Sequence, residues 1–216
     1  KVERVHGGEV LGFRHAWSGV LDDDWEPLDV QRCRGILPRG GTILGTSRVQ
    51  PYQFPDGVDR VRAAVEHHRL DGFVVIGGDG SLGAARDLHA DGVSCIGVPK
   101  TIDNDIAATE MTFGFDTAVH VCTAAIDRLH TTAEAHDLVM VVETMGRHAG
   151  HIAVRSGIAG GATMTLIPEV PFDIGEVCDA LQRRHAGVSY ASIVVVAEGA
   201  VPVPGTMPQP EYEVDR

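Results

Sequence analysis

Cysteine is scarce in this sequence, and the four that are present lie far apart. Cys33, Cys95, Cys122 and Cys178 include no C-x-x-C pair. In a chain of 216 residues this spacing is typical neither of a disulfide framework nor of a zinc site. No signal or transit peptide is visible. We therefore expect four buried thiols in a protein of the reducing cytoplasm.

Basic residues and long apolar stretches are also in short supply. Eighteen Lys and Arg stand against 30 Asp and Glu, a net charge of −12, which argues against a nucleic-acid surface. No apolar run approaches the roughly 18 residues of a membrane span, so neither nucleic acid nor a membrane is expected as a partner. The 44% of hydrophobic residues excludes disorder and indicates a sizeable core in one or two domains.

Glycine is abundant by contrast: 26 of the 216 residues are glycine, about 12% against a typical ~7%. The glycines occur in short clusters, such as the Gly77-Gly78-Asp79-Gly80 segment, and not in a low-complexity tract. This distribution indicates tight turns between regular elements, several of them approached closely by a ligand.

Strand and helix patterns alternate from residue 56 onward. Short apolar runs predict strands, and apolar residues at helical spacing predict helices between them. The predicted strands are 73–76, 95–98 (stopped by Pro99), 139–142, 164–167 and 192–197, and the predicted helices are 56–68, 81–89, 116–135, 148–158 and 174–185. We predict the α/β class, with parallel sheets and helices on both faces. The Asp22-Asp23-Asp24 run is interpreted as a solvated acidic loop.

Each of four predicted strands is followed by glycine or charged residues. The segments are 77–81, 99–105, 143–147 and 198–199. Ligands of open α/β sheets bind at the carboxyl ends of the strands. The four segments therefore predict one shared pocket.

The first of these segments has the composition of a phosphate-binding turn. Its small residues let backbone N–H groups approach phosphate oxygens at a helix N-terminus. Asp79 suits this place when a Mg²⁺ ion lies between its carboxylate and the phosphate. The alternative is a plain strand-to-helix turn in which Ser81 caps the helix.

The second and third segments carry candidate acid–base and cationic groups. In an extended segment Asp103 and Asp105 point to one side, and one of them could accept a proton from an attacking hydroxyl. The alternative is an Asx-turn, which Asp and Asn favour. Arg147, at the predicted start of a helix, could neutralise charge on a transferred phosphoryl group.

Several segments together resemble the bacterial phosphofructokinase family. They are Gly77 to Ser81, Pro99 to Asp105, Met145 to Gly150, Gly40 to Arg48, Ala125 to Leu129 and Ala197 to Gly199. The matches run in order along nearly the whole chain. The Thr-Ile-Asp-Asn-Asp and Met-Gly-Arg segments are highly specific in combination.

The resemblance implies a role for each matching residue. Asp103 is implied as the general base toward the 1-hydroxyl of fructose 6-phosphate, and Asp79 as the Mg²⁺ ligand. Arg48 is implied on the phosphates of the donor and the transition state. The remaining implied site residues are Thr101 and Asp105 at the phosphoryl group, sugar and metal, Met145, Gly146, Arg147 and Glu198 at the sugar, and Gly78, Gly80, Ser81 and Lys100 at the donor.

The family's architecture is implied as well. Its members have two similar α/β domains and assemble as homotetramers or homodimers. We expect residues 1–110 to bind the phosphoryl donor and residues 111–216 mostly the sugar phosphate. The sequence starts at Lys1 and resembles about the middle two-thirds of a family member, so we expect it to be part of a longer protein.

Two further departures concern the donor and the sugar phosphate. Gly80 is typical of the ATP-using branch of the family, whereas Lys100 is typical of the pyrophosphate-using branch. Leu138 occupies a position where the family has an Arg that reaches the sugar phosphate of a neighbouring subunit. The leading hypothesis is an ATP-dependent 6-phosphofructokinase; the alternatives are a pyrophosphate-dependent enzyme and a non-catalytic regulatory subunit.

Overall fold

A computed structural model of the protein describes residues 2–187 and 191–207. The chain divides into two compact units, Lys1–Pro99 and Lys100–Arg216. None of the helices within the described residues is long and apolar enough to cross a membrane. The expected division into a donor part and a sugar part at residues 110 and 111 concerns ligands and stays a prediction.

The described residues of the first unit form two strand pairs and three α-helices, and its last strand continues two residues into the second unit. Its elements are a π-helical turn (Val2–His6), β1 (Leu11–Phe13), α1 (Trp17–Asp22), β2 (Trp25–Pro27), a 3-10 turn (Pro51–Gln53), α2 (Gly57–His68), β3 (Phe73–Gly77), α3 (Asp79–Ala90) and β4 (Cys95–Thr101). β1 and β2 pair antiparallel, and β3 and β4 pair parallel. Apolar residues of α1, α2 and α3 form one core, in which Val61 and Leu88 are completely buried.

The second unit is built on a parallel sheet. Its elements are β5 (Phe113–Gly114), α4 (Phe115–His136), β6 (Val139–Thr144), α5 (His151–Ala159), β7 (Met164–Leu166), α6 (Ile174–His185) and β8 (Ser192–Ala197). The sheet order is β6–β8–β7, with β8 buried in the middle. Ile126 of α4 and Ala153 of α5 pack against Ile193 and Val195 of β8 to form its core.

The predicted α/β class with parallel sheets and flanking helices is confirmed. Two of the ten predicted elements, 174–185 and 192–197, have the predicted bounds, and the other eight differ by one to three residues at an end. Three of these differences lie near the predicted site. β4 continues through Pro99 to Thr101, because pairing passes there from β3 to β5 and the missing N–H of proline falls at the change. α3 begins at Asp79, before the predicted Ser81, and α5 begins at His151, after the predicted His148.

Two predictions of burial are wrong. Cys178 is exposed, and the other three cysteines are only half-buried. In β3, which the sequence predicts to be buried, Val74 and Ile76 are 67% and 64% exposed, because described residues cover only one face of that strand.

The cysteines are expected to differ in reactivity. Burial raises the pKa of the Cys95 thiol, so less of its reactive thiolate is present at a given pH. We expect iodoacetamide at about pH 8 to alkylate Cys178 several-fold faster than Cys95, because Cys178 is exposed, whereas Cys95 is partly shielded and its thiol is less ionised. Peptide mass spectrometry over a time course measures both rates, and equal rates would contradict the burial of Cys95.

Candidate active site

The turn between β3 and α3 is as tight as its glycines suggest. β3 ends at Gly77 and α3 begins at Asp79, with Gly78 as an N-cap that has no side-chain hydrogen bond. A Cβ at Gly77 would lie 2.6 Å from Cβ of Ser81. Ser81 is therefore the third residue of the helix and not its cap, which corrects the alternative interpretation of this turn. The first N–H groups of α3 are left for an anion.

Asp79 is the exposed acidic residue of this turn. Among the side chains that the structure describes, none bonds its carboxylate. Carboxylate oxygens are ligands that Mg²⁺ accepts while it keeps several waters and binds phosphate. The donor chemistry and the free carboxylate fit a Mg²⁺ ligand. Next to it, a Cβ at Gly80 would meet only the side-chain nitrogen of Gln50, at 2.8 Å.

Two predicted cationic donors of the phosphate site are exposed. Arg48 lies before the Pro51–Gln53 turn, and Lys100 lies on β4 opposite Phe113. Neither has an ion-pair partner among the described residues. Both charges are available to an anionic ligand of their own unit.

Asp103 is the buried carboxylate of the predicted site, with 8% of its surface exposed. It lies two residues beyond the end of β4. The Thr101 hydroxyl donates to its Oδ2 at 3.1 Å, and the Asp103 backbone N–H donates to the same Thr101 oxygen at 3.1 Å. The Nε of Arg147 lies 3.7 Å from Oδ2. The structure thus brings together three of the predicted catalytic residues.

The sequence pattern predicts that Asp103 and Asp105 point to the same side. In the structure, Asp105 does not share the environment of Asp103. Asn104 between them has a left-handed backbone with φ of 57°, which breaks the extended geometry that the prediction assumed. Its Oδ1 accepts the Thr112 N–H at 2.8 Å and closes the loop. Asp105 is consequently exposed, whereas Asp103 is buried.

The Met-Gly-Arg segment forms a turn held by a carboxylate that follows β8. Glu198 Oε1 accepts the N–H groups of Gly146 at 2.9 Å and Arg147 at 2.6 Å. Gly146 has φ of 143°, a conformation that favours glycine, and Arg147 is left-handed with φ of 52°. Arg147 therefore lies in a turn four residues before α5, and its predicted place at the helix start is wrong. Met145 is 62% exposed beside it.

Glu169 is a residue of this region that the sequence interpretation missed. Its Oε1 accepts the N–H of Gly150, the N-cap of α5, at 2.8 Å. A Cβ at Gly150 would lie 2.6 Å from Cβ of Ile167, so the close approach requires glycine. Glu169 follows β7 by three residues. The rule that polar residues after parallel strands meet at one edge would have found it.

The loop-holding role of Glu198 is testable through stability. Glu198→Ala leaves two N–H groups without their acceptor, and we expect it to lower the free energy of unfolding by about 1 kcal/mol. Glu198→Gln keeps an acceptor oxygen and should cost less than half as much. Urea denaturation measures both.

Glu143, exposed at the end of β6, offers a matched control. Glu143→Ala should change the free energy of unfolding by less than ~0.5 kcal/mol, as surface substitutions usually do. If Glu198→Ala were as harmless as Glu143→Ala, the carboxylate would not hold the turn.

A family model described as Phosphofructokinase matches residues 1–212. The chain belongs to the phosphofructokinase family. The resemblance that the sequence motifs carry is thereby confirmed.

Two bacterial proteins are among the relatives of this phosphofructokinase-family chain. It is 54% identical over 201 residues to the pyrophosphate–fructose 6-phosphate 1-phosphotransferase of Amycolatopsis methanolica. It is 55% identical over 202 residues to ATP-dependent 6-phosphofructokinase 3 of Streptomyces coelicolor. These matches cover 93% and 94% of the chain but 59% of each relative, so the chain spans about three-fifths of their length. One of these relatives is named for pyrophosphate and the other for ATP, and the chain is almost equally identical to both.

Solved phosphofructokinases share the fold. The Pichia pastoris enzyme in the T-state aligns with a TM-score of 0.85 at 29% identity, covering 91% of this chain and 23% of that one. The pyrophosphate-dependent enzyme from Marinobacter aquaeolei aligns with a TM-score of 0.78 at 25% identity, covering 90% of this chain and 53% of that one. The likeness extends over both units of the phosphofructokinase-family chain.

Proposed function

We propose that the chain belongs to an enzyme that transfers the terminal phosphoryl group of MgATP to the 1-hydroxyl of fructose 6-phosphate, giving fructose 1,6-bisphosphate. The observation that carries this proposal is Asp103, a nearly buried carboxylate held by Thr101 and faced by Arg147. The 55% identity to a relative named ATP-dependent 6-phosphofructokinase supports it.

Asp103 acts as the general base in this reaction. The sugar O1 forms a bond to the terminal phosphorus while the bond from that phosphorus to the ADP oxygen breaks, and the O1 proton passes to a carboxylate oxygen of Asp103. The Thr101 hydroxyl keeps the carboxylate in one orientation. The Arg147 guanidinium offsets negative charge on the transferring group.

The donor phosphates lie at the N-terminus of α3. The uncapped N–H groups after Gly78 receive phosphate oxygens, with Gly80 and Ser81 in the same helical turn and Arg48 as a cationic contact from the same unit. The family resemblance implies Lys100 as a further cation for the donor. Asp79 would hold Mg²⁺, which supplies charge neutralisation of the phosphates. Asp105, Met145, Gly146 and Glu198 contribute to the sugar side. We further propose a homotetramer or homodimer that works in the cytoplasm.

An assay of the full-length protein tests this function. Formation of fructose 1,6-bisphosphate is followed with MgATP and, separately, with Mg-pyrophosphate. The proposal requires a higher kcat/KM with MgATP. No product with either donor would favour the regulatory-subunit alternative.

A pyrophosphate-dependent enzyme is the second candidate. The exposed Lys100 offers a point charge to either donor, and relatives with pyrophosphate in their names match at 54% and 53% identity. Gly80 favours ATP, because it puts no side chain beside Asp79, where the flexible Gln50 amide is the one group within 4 Å of a Cβ position and could give way to the α-phosphate of a nucleotide. A higher kcat/KM with pyrophosphate would decide for this candidate.

Gly80→Asp is expected to lower kcat/KM for MgATP about tenfold more than for Mg-pyrophosphate, a difference of ~1.4 kcal/mol. The new side chain displaces the Gln50 amide and puts a second carboxylate beside Asp79. This carboxylate repels the additional phosphate of the nucleotide. Initial rates with each donor measure the change.

Gly83→Asp is the matched control, because it adds the same charge to the same helix where a Cβ meets nothing within 4 Å. We expect it to leave the ratio of the two donors unchanged. An equal loss with both donors in Gly80→Asp would instead mean general damage to the turn.

A further inference from the structure

Three potential metal ligands meet in the first unit, outside the proposed phosphoryl-transfer site. Asp23 follows α1, and His67 and His68 end α2. The Nε2 of His68 lies 2.6 Å from Oδ1 of Asp23, and the two imidazole rings lie 4.6 Å apart at 76°. One ligand atom from each residue lies within 4.8 Å of the other two.

The acidic run 22–24 is not the solvated loop that its sequence suggests, because Asp22 is the last residue of α1 and all three carboxylates have partners. Arg60 pairs with Asp22 at 3.0 Å, and Arg14 pairs with Asp24 at 2.8 Å. Asp23 alone of the three has histidine as its partner. The two arginines therefore pair with Asp22 and Asp24, and Asp23 contacts the imidazole of His68.

The surroundings of His68 hold its ring in place. Its side chain is 9% exposed, with the Trp25 ring at 5.1 Å and the Phe13 ring at 6.0 Å. Asp23 and His67 are exposed. The group thus combines one fixed ligand with two that can adjust.

We propose that Asp23, His67 and His68 bind one transition-metal dication of the zinc type. Two imidazoles and one carboxylate suit Zn²⁺, Ni²⁺ or Cu²⁺, whereas Mg²⁺ prefers oxygen ligands. Three protein ligands leave the fourth tetrahedral position for water. The bound ion links the C-terminal ends of α1 and α2 and stabilises the first unit by mass action.

Binding requires only a small rearrangement of the group, in which Asp23 Oδ1 and His68 Nε2 move apart from 2.6 Å. Ligand atoms about 2.0–2.1 Å from Zn²⁺ lie roughly 3.4 Å apart in a tetrahedron. Rotation of the exposed His67 and Asp23 side chains brings the atoms from within 4.8 Å to that separation. The Asp23–His68 hydrogen bond is exchanged for two bonds to the metal.

Calorimetric titration of the full-length, tag-free protein with Zn²⁺ in excess Mg²⁺ tests the site. We expect one strong site per chain, weakened at least tenfold in both His67→Ala and Asp23→Asn. Because these two side chains are exposed, circular dichroism should show both variants folded. Quenching of Trp25 fluorescence by Cu²⁺ gives a second readout, because its ring lies 5.1 Å from His68.

His89→Ala is the matched control, since His89 also lies exposed in the last turn of a helix, α3. It should keep the Zn²⁺ affinity and the Cu²⁺ quenching. Affinity equally unchanged in His67→Ala, Asp23→Asn and His89→Ala would overturn the proposal and leave the group as a hydrogen-bonded aromatic cluster only. Absence of strong Zn²⁺ binding in excess Mg²⁺ would also overturn it.

Discussion

Replacing Asp103 with Asn is expected to lower kcat for phosphoryl transfer by about 10²–10⁴, the usual contribution of a positioned general base. The amide has the same shape, and its oxygen can still accept the Thr101 hydroxyl. It cannot accept the proton of the sugar hydroxyl. The loss should therefore fall on kcat, with KM for fructose 6-phosphate changed much less.

The measurement is steady-state kinetics of the full-length protein, with circular dichroism to show that the variant is folded. Asp179→Asn, an exposed acid of α6, is a suitable control and should leave kcat within about twofold, consistent with the small effects of surface substitutions. A near-normal kcat in Asp103→Asn would show that another group is the base.

Leu138→Arg is expected to lower KM for fructose 6-phosphate about 10- to 100-fold, the value of one charge-assisted hydrogen bond of roughly 1.5–3 kcal/mol. The resemblance implies that an Arg at this position reaches the sugar phosphate of a neighbouring subunit. Leu138 lies between α4 and β6 and is 41% exposed, so an Arg there does not bury a charge. kcat should change little.

A different phosphate ligand or a different acceptor would each change the result at Leu138. If Arg155 binds the same phosphate, Leu138→Arg should leave KM for fructose 6-phosphate unchanged. Arg155 is the alternative cation, and its guanidinium lies 5.8 Å from the centroid of the Phe115 ring. If the acceptor is a different sugar phosphate, the variant should change the preferred acceptor. Leu138→Gln, polar but uncharged, is the control, and a KM as low as that of Leu138→Arg would show that charge is not the cause.

Local sequence patterns were sufficient to predict the bounds of a helix or strand where the interactions that define it lie within a few residues. The helix Ile174–His185 has the predicted bounds, and the neighbouring Asp173 caps it by accepting the N–H groups of Gly175 and Glu176. The strand Ser192–Ala197 also has the predicted bounds, because its apolar run is the buried middle of the sheet. Such signals lie within a few residues of the element and can be read from the sequence.

Prediction failed where the determining partner is distant. The start of α5 follows a turn whose N–H groups are accepted by Glu198, 51 and 52 residues further along the chain, and by Glu169, 19 residues further. The alternation of Asp103 and Asp105 assumed an extended backbone, and the contact of Asn104 with Thr112 prevents it. The local patterns do not specify which backbone N–H groups these side chains bind.

By itself the sequence determined the α/β class, the order of the main strands and helices, and the phosphofructokinase motifs, because hydrophobic period and residue type are local properties. Only the tertiary structure placed Asp103 in a buried setting beside Arg147. It alone showed that Glu198 accepts backbone N–H groups of the Met-Gly-Arg turn, and that Asp23 lies beside His67 and His68. Those arrangements depend on contacts between residues about 44 to 52 positions apart in the sequence. Tertiary packing decides which of these distant residues meet, and composition does not.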